Sequence, residues 1–257
     1  MKRPSKGQNI LILFLWILCL APFCYIAVRS IADPDSGLTL QYYYEVFFAT
    51  PQYLYRFWKS LFLGGSIAVG QMIVSVLAGY AFAKISFPGK NAIFSCLIIF
   101  MIMPVQVALI ANYLIIGQIG LLDTYLSLIL PAIFVPLGTF IMTHSFRAIP
   151  DEVIEAAKLD GCSIFQMIAR IGVPMSRSGL VCTMLLSFLD AWNMVEQPIV
   201  YLKEFAKYPI SVALASSPIE EPTAQMVCCI LVAIPPLLLF ALLNKEMVEG
   251  IASVKET

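Results

Sequence analysis

The chain alternates between long uncharged apolar runs and short polar stretches. A helix that spans a membrane needs about 20 mostly apolar residues in succession. Six segments meet this requirement, and they cover residues 10–28, 60–83, 91–116, 125–143, 180–200 and 224–243. Only the fifth segment contains acidic residues, Asp190 and Glu196. The pattern therefore predicts an all-α integral membrane protein with six transmembrane helices in a single domain over residues 1–257.

Composition excludes most other classes of protein. Hydrophobic residues make up 60% of the chain and charged residues 12%, whereas soluble domains are about 45–50% apolar and about a quarter charged. So little polar surface does not suit a water-soluble globule, and disordered chains are poor in apolar residues. The 16 lysines and arginines equal the 16 aspartates and glutamates. No basic excess therefore argues for nucleic-acid binding.

The distribution of lysine and arginine predicts the orientation of the bundle. Cytoplasmic loops of membrane proteins carry an excess of these residues. Eleven lie on one face, in the N-terminal tail, the 84–90 and 144–178 loops and the C-terminal tail, and five lie on the other face. This count predicts that both termini are cytoplasmic. An alternative for the first span is a cleaved signal peptide, although the apolar run is long for one.

The connection between predicted spans four and five, residues 144–178, is too long for a simple turn, because connections in bundles usually have about 2–8 residues. Pro150 suits the first position of a helix, and Asp151 and Glu152 favour its positive end. Gly161 suits a left-handed stop. The sequence therefore predicts a short helix that ends at Gly161.

A second short helix is predicted directly after the first. Ser163 and Gln166 have the spacing of a capping box, and we expect the helix to end before Pro174. Two short helices joined at a glycine form an elbow. Each has one apolar stripe, formed by Val153, Ile154 and Ala157 on the first and by Ile164, Ile168 and Ile171 on the second. The stripes would pack on the chain's own spans, on the membrane surface or in a partner's groove, and the sequence leaves these alternatives open.

The elbow resembles the EAA signature of bacterial ABC importer permeases. The residues that carry the resemblance are Glu155-Ala156-Ala157, then three residues to Gly161, then nine residues to Ile171-Gly172-Val173-Pro174. The sequence departs from the usual signature only at Val173, where leucine is usual. Further features resemble the carbohydrate-uptake branch, and they are Asp160, Ile149-Pro150, the Phe-Pro-Gly-Lys turn at 87–90, Met103-Pro104 and Trp192-Asn193. The resemblance covers roughly residues 57–200.

The resemblance implies that the elbow between spans four and five is a cytoplasmic coupling helix that sits in a groove on an ATPase subunit. The implied coupling residues are Glu155, Ala156, Ala157, Asp160, Gly161, Ile171 and Pro174. Glu155 would pair with a basic residue of the ATPase, while the two alanines would allow close approach and Gly161 would make the turn. Closure of the ATPases on ATP would then move the elbows and switch the bundle from inward- to outward-facing.

The resemblance also implies the partners of a maltose-transporter-type permease subunit in the bacterial cytoplasmic membrane. They are a second homologous permease, two ATPase subunits, an extracytoplasmic solute-binding protein, a carbohydrate substrate and the lipid bilayer, with no nucleic acid. No cofactor is expected on this chain, because ATP and magnesium would bind the ATPase. The sequence agrees, since the only Gly-Lys pair, Gly89-Lys90, lacks the other residues of a P-loop. The chain is therefore expected to be a transport subunit and not an enzyme.

Polar residues inside the predicted spans are candidates for the substrate pathway, because buried acids in a membrane usually face the bundle interior or a cavity. Asp190, Asn193 and Gln197 have a spacing that places them on one helical stripe, with Trp192 as an aromatic neighbour. Asn112 and Tyr113 in span three are weaker candidates. The alternative for these groups is hydrogen bonding between helices or subunits. Pro104 and Pro131 are expected to kink their spans.

Two other classes of function remain as alternatives. In a channel or secondary transporter, Asp190 and Glu196 would carry protons, but the elbow would have no purpose. A membrane enzyme would need a nucleophile, a metal site or an acid–base pair. The chain has one histidine, His144, and seven cysteines without metal-site spacing, so we expect no metal and no catalytic residue. The sequence leaves the identity of the transported solute open.

Overall fold

The computed structural model describes residues 6–33, 37–49, 51–216 and 222–255. In chain order the elements are α1 (Lys6–Ile31), β1 (Ala32–Asp33), β2 (Gly37–Leu38), α2 (Gln41–Tyr44), a π-helical segment (Glu45–Ala49), α3 (Pro51–Lys84), α4 (Lys90–Ile102), α5 (Val105–Gln118), α6 (Leu126–Ile133), α7 (Pro136–Arg147), α8 (Asp151–Leu159), α9 (Ile164–Met167), a π-helical segment (Ile168–Gly172), α10 (Val173–Met175), α11 (Arg177–Trp192), α12 (Glu196–Tyr201), a 3₁₀ turn (Phe205–Lys207), α13 (Ile210–Ser216) and α14 (Pro222–Lys255). The two short strands pair antiparallel. The predicted helical fold is confirmed.

Helix α3 lies at the centre of the bundle. It packs along α7 and α11, while α14 packs on α11 and contacts α1. The predicted second span begins at residue 60, but the helix begins at Pro51, so the aromatic residues of 53–58 belong to α3. Proline is favourable in the first turn of a helix, where its missing N–H leaves no hydrogen bond unmade.

Four helical stretches are long and apolar enough to cross a membrane, and they are Ile12–Ile31, Gln52–Lys84, Leu126–Arg147 and Ala224–Lys245. Two further candidates are bent pairs of helices. They are Lys90–Ile102 with Val105–Gln118, bent by 105°, and Ile164–Met175 with Arg177–Trp192, bent by 85°. By length and composition, the described residues therefore contain four candidate spans, or up to six if each bent pair counts as one.

The third predicted span is not one continuous helix. Helix α4 ends at Ile102, and Met103 and Pro104 are extended before α5 begins at Val105. Proline disfavours a helical conformation in the residue before it and supplies no N–H to continue the helix. The kink expected at Pro104 is confirmed, and it turns the chain by 105°.

The central helices approach each other closely at glycines. A Cβ added at Gly138 of α7 would overlap Ser75 of α3, and one added at Gly179 of α11 would overlap Ser145 of α7. Small residues at such crossings bring helix backbones together in a membrane, where packing replaces the hydrophobic effect as the driving force. The hydroxyl of Ser145 donates to the carbonyl of Ile141 one turn earlier, so this buried polar atom stays hydrogen-bonded.

Candidate functional site

The first helix of the elbow, α8, ends in a left-handed glycine. Gly161 has φ +80°, a region that side chains disfavour. The amide of Gly161 donates to the carbonyl of Lys158, and the amide of Cys162 donates to the carbonyl of Ala157. This pair of bonds is a Schellman motif, which satisfies the last carbonyls of a helix. The stop predicted at Gly161 is therefore present and turns the chain into the second helix.

The second helix of the elbow begins with the predicted capping box. The amide of Gln166 donates to Ser163 Oγ at 3.3 Å, and the amide of Ser163 donates to Gln166 Oε1 at 2.8 Å. The predicted end before Pro174 is wrong, because the helical path runs through Pro174 to Met175. A π-helical segment, Ile168–Gly172, precedes the proline. The wider π turn changes the hydrogen-bonding pattern that a proline would otherwise break.

The apolar stripes of the elbow pack on the chain's own spans. Ile154, Ala157 and Ile168 are buried in a cluster that also contains residues of α3 and α7. We call this cluster the elbow core, and its buried members are Val76, Tyr80, Met142, Phe146, Ile149, Ile154, Ala157, Met167 and Ile168. Ile164, at the start of α9, is 49% exposed. Because most residues of the two stripes are buried against α3 and α7, the stripes pack on the chain's own spans, and not on the membrane surface or in a partner's groove.

The opposite side of the elbow faces outward. Glu155, Ala156, Asp160 and Gly161 are exposed, and Leu159 beside them is 90% exposed. Phe165 on α9 is 74% exposed. An exposed leucine and phenylalanine at the tip of an elbow are a candidate contact surface, because large apolar side chains gain free energy when a partner covers them. We call this set the outer face of the elbow.

The two alanines of the signature have different surroundings. Ala157 is buried in the elbow core at 6% exposure, whereas Ala156 is exposed on the outer face. Ile171 is half-buried and Pro174 is exposed. Gly172, between them, lies so close to Phe146 that an added Cβ would approach the ring to 3.0 Å. The small residues Ala157 and Gly172 therefore serve packing within the chain.

A lysine that sequence analysis used only to count charge also belongs to this site. Lys84, the last residue of α3, donates through Nζ to the carbonyl of Ile149 and to Asp151 Oδ1, both at 2.6 Å. This ion pair holds the pKa of the Asp151 carboxyl below its usual value. The lysine is 65 residues or more from its partners along the chain, so only its position at a helix end could have signalled the contact.

The polar stripe predicted on the fifth span is interrupted. Helix α11 ends at Trp192, and α12 begins only at Glu196. The Asn193 side chain donates to the carbonyl of Leu189 at 2.9 Å and so terminates α11. The prediction that Gln197 continues the stripe of Asp190 and Asn193 is therefore wrong. Asp190 and Asn193 are exposed at the end of α11, and Gln197 is half-buried in a different helix.

The break after α11 has a second cause in the sequence. Pro198 has no N–H to donate to the carbonyl of Met194, and Ser211 Oγ donates to that carbonyl instead, at 2.9 Å. An asparagine followed five residues later by a proline is a signal that pattern reading over the whole span missed. Broken helices with locally freed backbone groups are common where transport proteins line a pathway.

Trp192 is buried in the core of the bundle. It is 2% exposed, and its ring stacks on Phe188 with centroids 5.5 Å apart. Phe57 contacts the ring edge-on, and the indole N–H donates to the carbonyl of Val232 at 3.0 Å. Its hydrogen bond and its two ring contacts give Trp192 a packing role beside the exposed Asp190 and Asn193.

The candidates on α5 contact α12. Tyr113 is 37% exposed, and its ring centroid is 6.5 Å from that of Tyr201, while Asn112 is half-buried on the same helix. Gln106 Nε2 donates to Glu196 Oε1 at 3.0 Å. The structure therefore brings α5 and the short helix after the break together, on the side of the bundle opposite to the elbow.

That opposite side is held by a polar contact at Asp123. The carboxylate of Asp123 accepts from Lys207 Nζ at 2.7 Å and from the amide of Lys203 at 2.9 Å. Both contacts hold the pKa of the Asp123 carboxyl below its usual value. Asp123 has φ +62°, and its own amide donates to the carbonyl of Tyr201. The hairpin after α5 is thereby attached to the segment after α12.

The described residues contain no group of three metal-ligating side chains. All seven cysteines are free thiols, and Cys182 and Cys228 are buried. His144 lies near the end of α7, with its ring 4.5 Å from that of Phe140.

Comparison with known proteins identifies similar chains. Residues 71–246 match the family described as "Binding-protein-dependent transport system inner membrane component". The sn-glycerol-3-phosphate transport system permease protein UgpE of Yersinia pestis bv. Antiqua is 30% identical over 199 residues, which cover 75% of this chain and 70% of that protein. The protein of the same name from Brucella melitensis biotype 1 is 28% identical over 207 residues, which cover 77% and 72%.

Solved structures share the fold. A chain from a bacterial ABC transporter involved in the import of the acidic polysaccharide alginate superposes with a TM-score of 0.82 at 19% identity, and the match covers 96% of this chain and 100% of that chain. A chain of a bacterial alginate ABC transporter, in complex with an alginate pentasaccharide-bound periplasmic protein, superposes with a TM-score of 0.64 at 15% identity, covering 92% and 91%. At these identities the likeness shows a common fold.

Proposed function

The chain belongs to the family of binding-protein-dependent transport system inner membrane components, and from this premise we propose that it forms half of the translocation pathway for a carbohydrate or a related polyol. The chain is a multi-pass permease subunit of an ABC importer, and it is not an enzyme, because the ATPase is a separate subunit. The family expected from the elbow signature is thereby confirmed.

We propose that the outer face of the elbow docks in a groove of the cytoplasmic ATPase. The observation that carries this proposal is the division of the elbow into two sides: the apolar stripe packs on α3 and α7, while Glu155, Ala156 and Asp160 are exposed. A carboxylate on this face favours a basic partner, and Leu159 offers an apolar anchor. ATP and magnesium bind the ATPase, whose closure moves the elbow.

The exposed polar groups at the end of α11 support a pathway shared with a second permease. A carboxylate facing lipid is costly, and such groups usually face a cavity or a partner. Asp190 and Asn193 are exposed on a single chain, so a homologous subunit opposite them would complete the lining. Asn112, Tyr113 and Gln197 are further candidates for this surface, and Trp192 supports it from behind. Hydroxyl-rich solutes suit these amide, carboxylate and phenol groups.

We propose that both termini are cytoplasmic. An even number of spans, six if each bent pair crosses the membrane once, and the eleven-to-five distribution of lysine and arginine support this orientation. The opposite side then receives the solute from an extracytoplasmic binding protein. The named relatives are permease proteins of sn-glycerol-3-phosphate transport systems, and a structural neighbour comes from a transporter involved in the import of the acidic polysaccharide alginate. Both are polyhydroxylated anions, and we propose a solute of this class.

Proteoliposomes that contain the complete transporter test this function. MgATP inside and binding protein outside should drive uptake of sn-glycerol 3-phosphate or alginate oligosaccharide, and uptake of the neutral sugar maltotriose alone would contradict the proposed anionic class of solute. Glu155→Ala should abolish uptake and the stimulation of ATP hydrolysis, because it removes the charge that pairs with the ATPase. In the same assay, Asn193→Ala should lower uptake without weakening ATPase binding.

The matched control is Glu152→Ala, which removes the same charge from the same helix outside the signature. It should retain most of the uptake. Uptake by the chain alone, driven by an ion gradient without ATP, would instead support a secondary transporter. Normal ATP-driven uptake by Glu155→Ala would contradict the docking proposal.

A further inference from the structure

The elbow contacts the last two turns of α3 through two side chains on one face. Tyr80 and Lys84 are four residues apart, and residues at this spacing lie above each other on a helix. Tyr80 is 2% exposed, and its ring meets Phe146 edge-on with centroids 5.6 Å apart. The hydroxyl of Tyr80 is 3.9 Å from Met167 Sδ of α9. Tyr80 therefore contacts the second helix of the elbow.

Lys84 contacts the beginning of the first helix of the elbow. Its Nζ donates to the carbonyl of Ile149 and to Asp151 Oδ1, each at 2.6 Å. The lysine side chain is only 6% exposed, whereas Asp151 is 79% exposed. The buried lysine side chain thus contacts a carboxylate at the protein surface, and its ammonium group is held by oxygens of two different residues.

The partners of Lys84 lie where the chain passes from α7 into α8. Ile149 is 3% exposed in the elbow core, and Pro150 follows it without an N–H. No side chain caps the N-terminus of α8. Asp151 is placed where a negative charge favours the helix dipole, and Lys84 holds that carboxylate. The ammonium group therefore joins the end of α3 to the connection between α7 and α8 and to the start of α8.

We propose that Lys84 is a positioning residue that transmits movement of the elbow to α3. This inference rests on the proposed function, because it assumes that an ATPase moves the elbow. The chain connects the elbow covalently to α7 and to α11, but α3 is separated from it by α4 to α7. Side-chain contacts are therefore the route from the elbow to α3, the central helix, and Lys84 supplies the polar part of that route.

Lys84→Met tests the proposal in the complete transporter, because methionine retains most of the apolar stem and removes the charge. Uptake of the three labelled solutes named above and ATP hydrolysis should be measured together. We expect the amount of solute moved per ATP to fall about 2- to 30-fold. Lys84→Arg should restore most of the ratio, because a guanidinium group also donates to both oxygens. A purely structural role would lower uptake and hydrolysis together.

The matched control is Lys90→Met. Lys90 Nζ donates to the carbonyl of Ile85 at 2.9 Å within the turn between α3 and α4, and among the described residues it forms no hydrogen bond or ion pair with the elbow. This variant should move as much solute per ATP as the wild type does. Asp151→Asn is a milder second variant, because the bond from Lys84 to the Ile149 carbonyl remains, and it should lower the ratio less than Lys84→Met does.

A distance measurement tests the same contact without a transported solute. Spin labels at Ser86 and Arg170, both exposed and both outside the outer face of the elbow, report on the turn after α3 and on the second helix of the elbow once other reactive cysteines have been replaced. In the labelled chain that keeps Lys84, the distribution of distances between the two labels should stay narrow when MgATP and vanadate trap the closed ATPase. In the labelled Lys84→Met variant, the same distribution should broaden. Equal distributions and equal ratios in both chains would overturn the proposal. If the wild-type complex moves no solute, the proposed function fails, while the distances still decide the role of Lys84.

Discussion

The two ends of the bundle are built in different ways. At the elbow end, α8 and α9 pack their apolar stripe on α3 and α7, and the helix termini are closed by a Schellman motif and a capping box. At the opposite end, the helices are broken at Pro104 and after Trp192, and polar side chains tie the ends together. One end is a closely packed unit with an exposed outer face, and the other end consists of short helices separated by breaks.

This difference matches what each end is proposed to do. A surface that receives mechanical force has to move as a unit, and dry, close packing provides this because packed cores are not continuously deformable. A surface that contacts a hydrophilic solute needs exposed polar atoms at membrane depth, which broken helices supply. The acidic residues of the two ends have correspondingly different surroundings. Glu155 faces outward from the closely packed elbow, and Asp190 lies beside the break that follows α11.

The largest expected effect comes from breaking the close packing. Gly179→Leu should destabilise the chain by about 3 kcal/mol, at the upper end of the usual cost of overpacking, because even a Cβ there overlaps Ser145. Gly65→Ala is the control, since a Cβ at Gly65 meets nothing within 4 Å. Titration of the detergent-solubilised chain with sodium dodecyl sulfate measures the free energy of unfolding. Equal stabilities would show that the crossing is not tight.

Enlarging either of the two signature alanines should have an intermediate effect, and which property changes should depend on whether the alanine lies on the inner or the outer side of the elbow. Ala157→Leu should cost about 1–3 kcal/mol of chain stability, because Ala157 is buried in the elbow core. Ala156→Leu should change stability by less than about 0.5 kcal/mol, as for other surface substitutions, yet weaken binding of the ATPase. Unfolding titrations and co-purification of the ATPase measure the two effects. The opposite assignment of effects to the two alanines would mean that the elbow sits the other way round.

The smallest effect concerns pH at the opposite end. Lys207 and the amide of Lys203 keep the pKa of Asp123 below its usual 3.8, and Asp123 keeps the pKa of Lys207 above its usual 10.5. A depressed aspartate pKa stabilises the fold at neutral pH, and this contribution is lost as the pH falls through the folded-state value. A raised lysine pKa is stabilising below about 10.5 and is lost at higher pH.

Asp123→Asn therefore should lower stability slightly near pH 7, and the difference from wild type should shrink as the pH falls below 3.8 toward the folded-state pKa of Asp123. Asparagine also tolerates the left-handed conformation at this position, φ +62°, so the backbone is preserved. Unfolding titrations of both chains between pH 3 and pH 8 measure the difference. A gap that persists unchanged at the acidic limit would show that the carboxylate charge is not what stabilises the hairpin.

Much of the elbow could be predicted from local sequence, because its signals act within a few residues. Gly161 stops α8, and Ser163 with Gln166 starts α9, as the pattern predicts. The end predicted before Pro174 was wrong because a π-helical segment accommodates the proline. The stripe through Gln197 was wrong because Asn193 and Pro198 end one helix and separate it from the next. Both errors arose where backbone hydrogen bonding departs from the regular α-helical pattern.

Sequence by itself determined that the chain lies in a membrane, which family signature it carries, and that α8 stops at Gly161 and α9 starts after Ser163, because hydropathy, charge and capping are local properties. Tertiary structure alone decided which alanine of the signature faces inward, which polar groups of α11 stay exposed and which side chain joins the elbow to α3. Lys84 and Asp151 are 67 residues apart in the chain and 2.6 Å apart in space. Such a contact depends on the crossing of α3 and α7, and that crossing is set by the packing of small residues that only the folded bundle brings together.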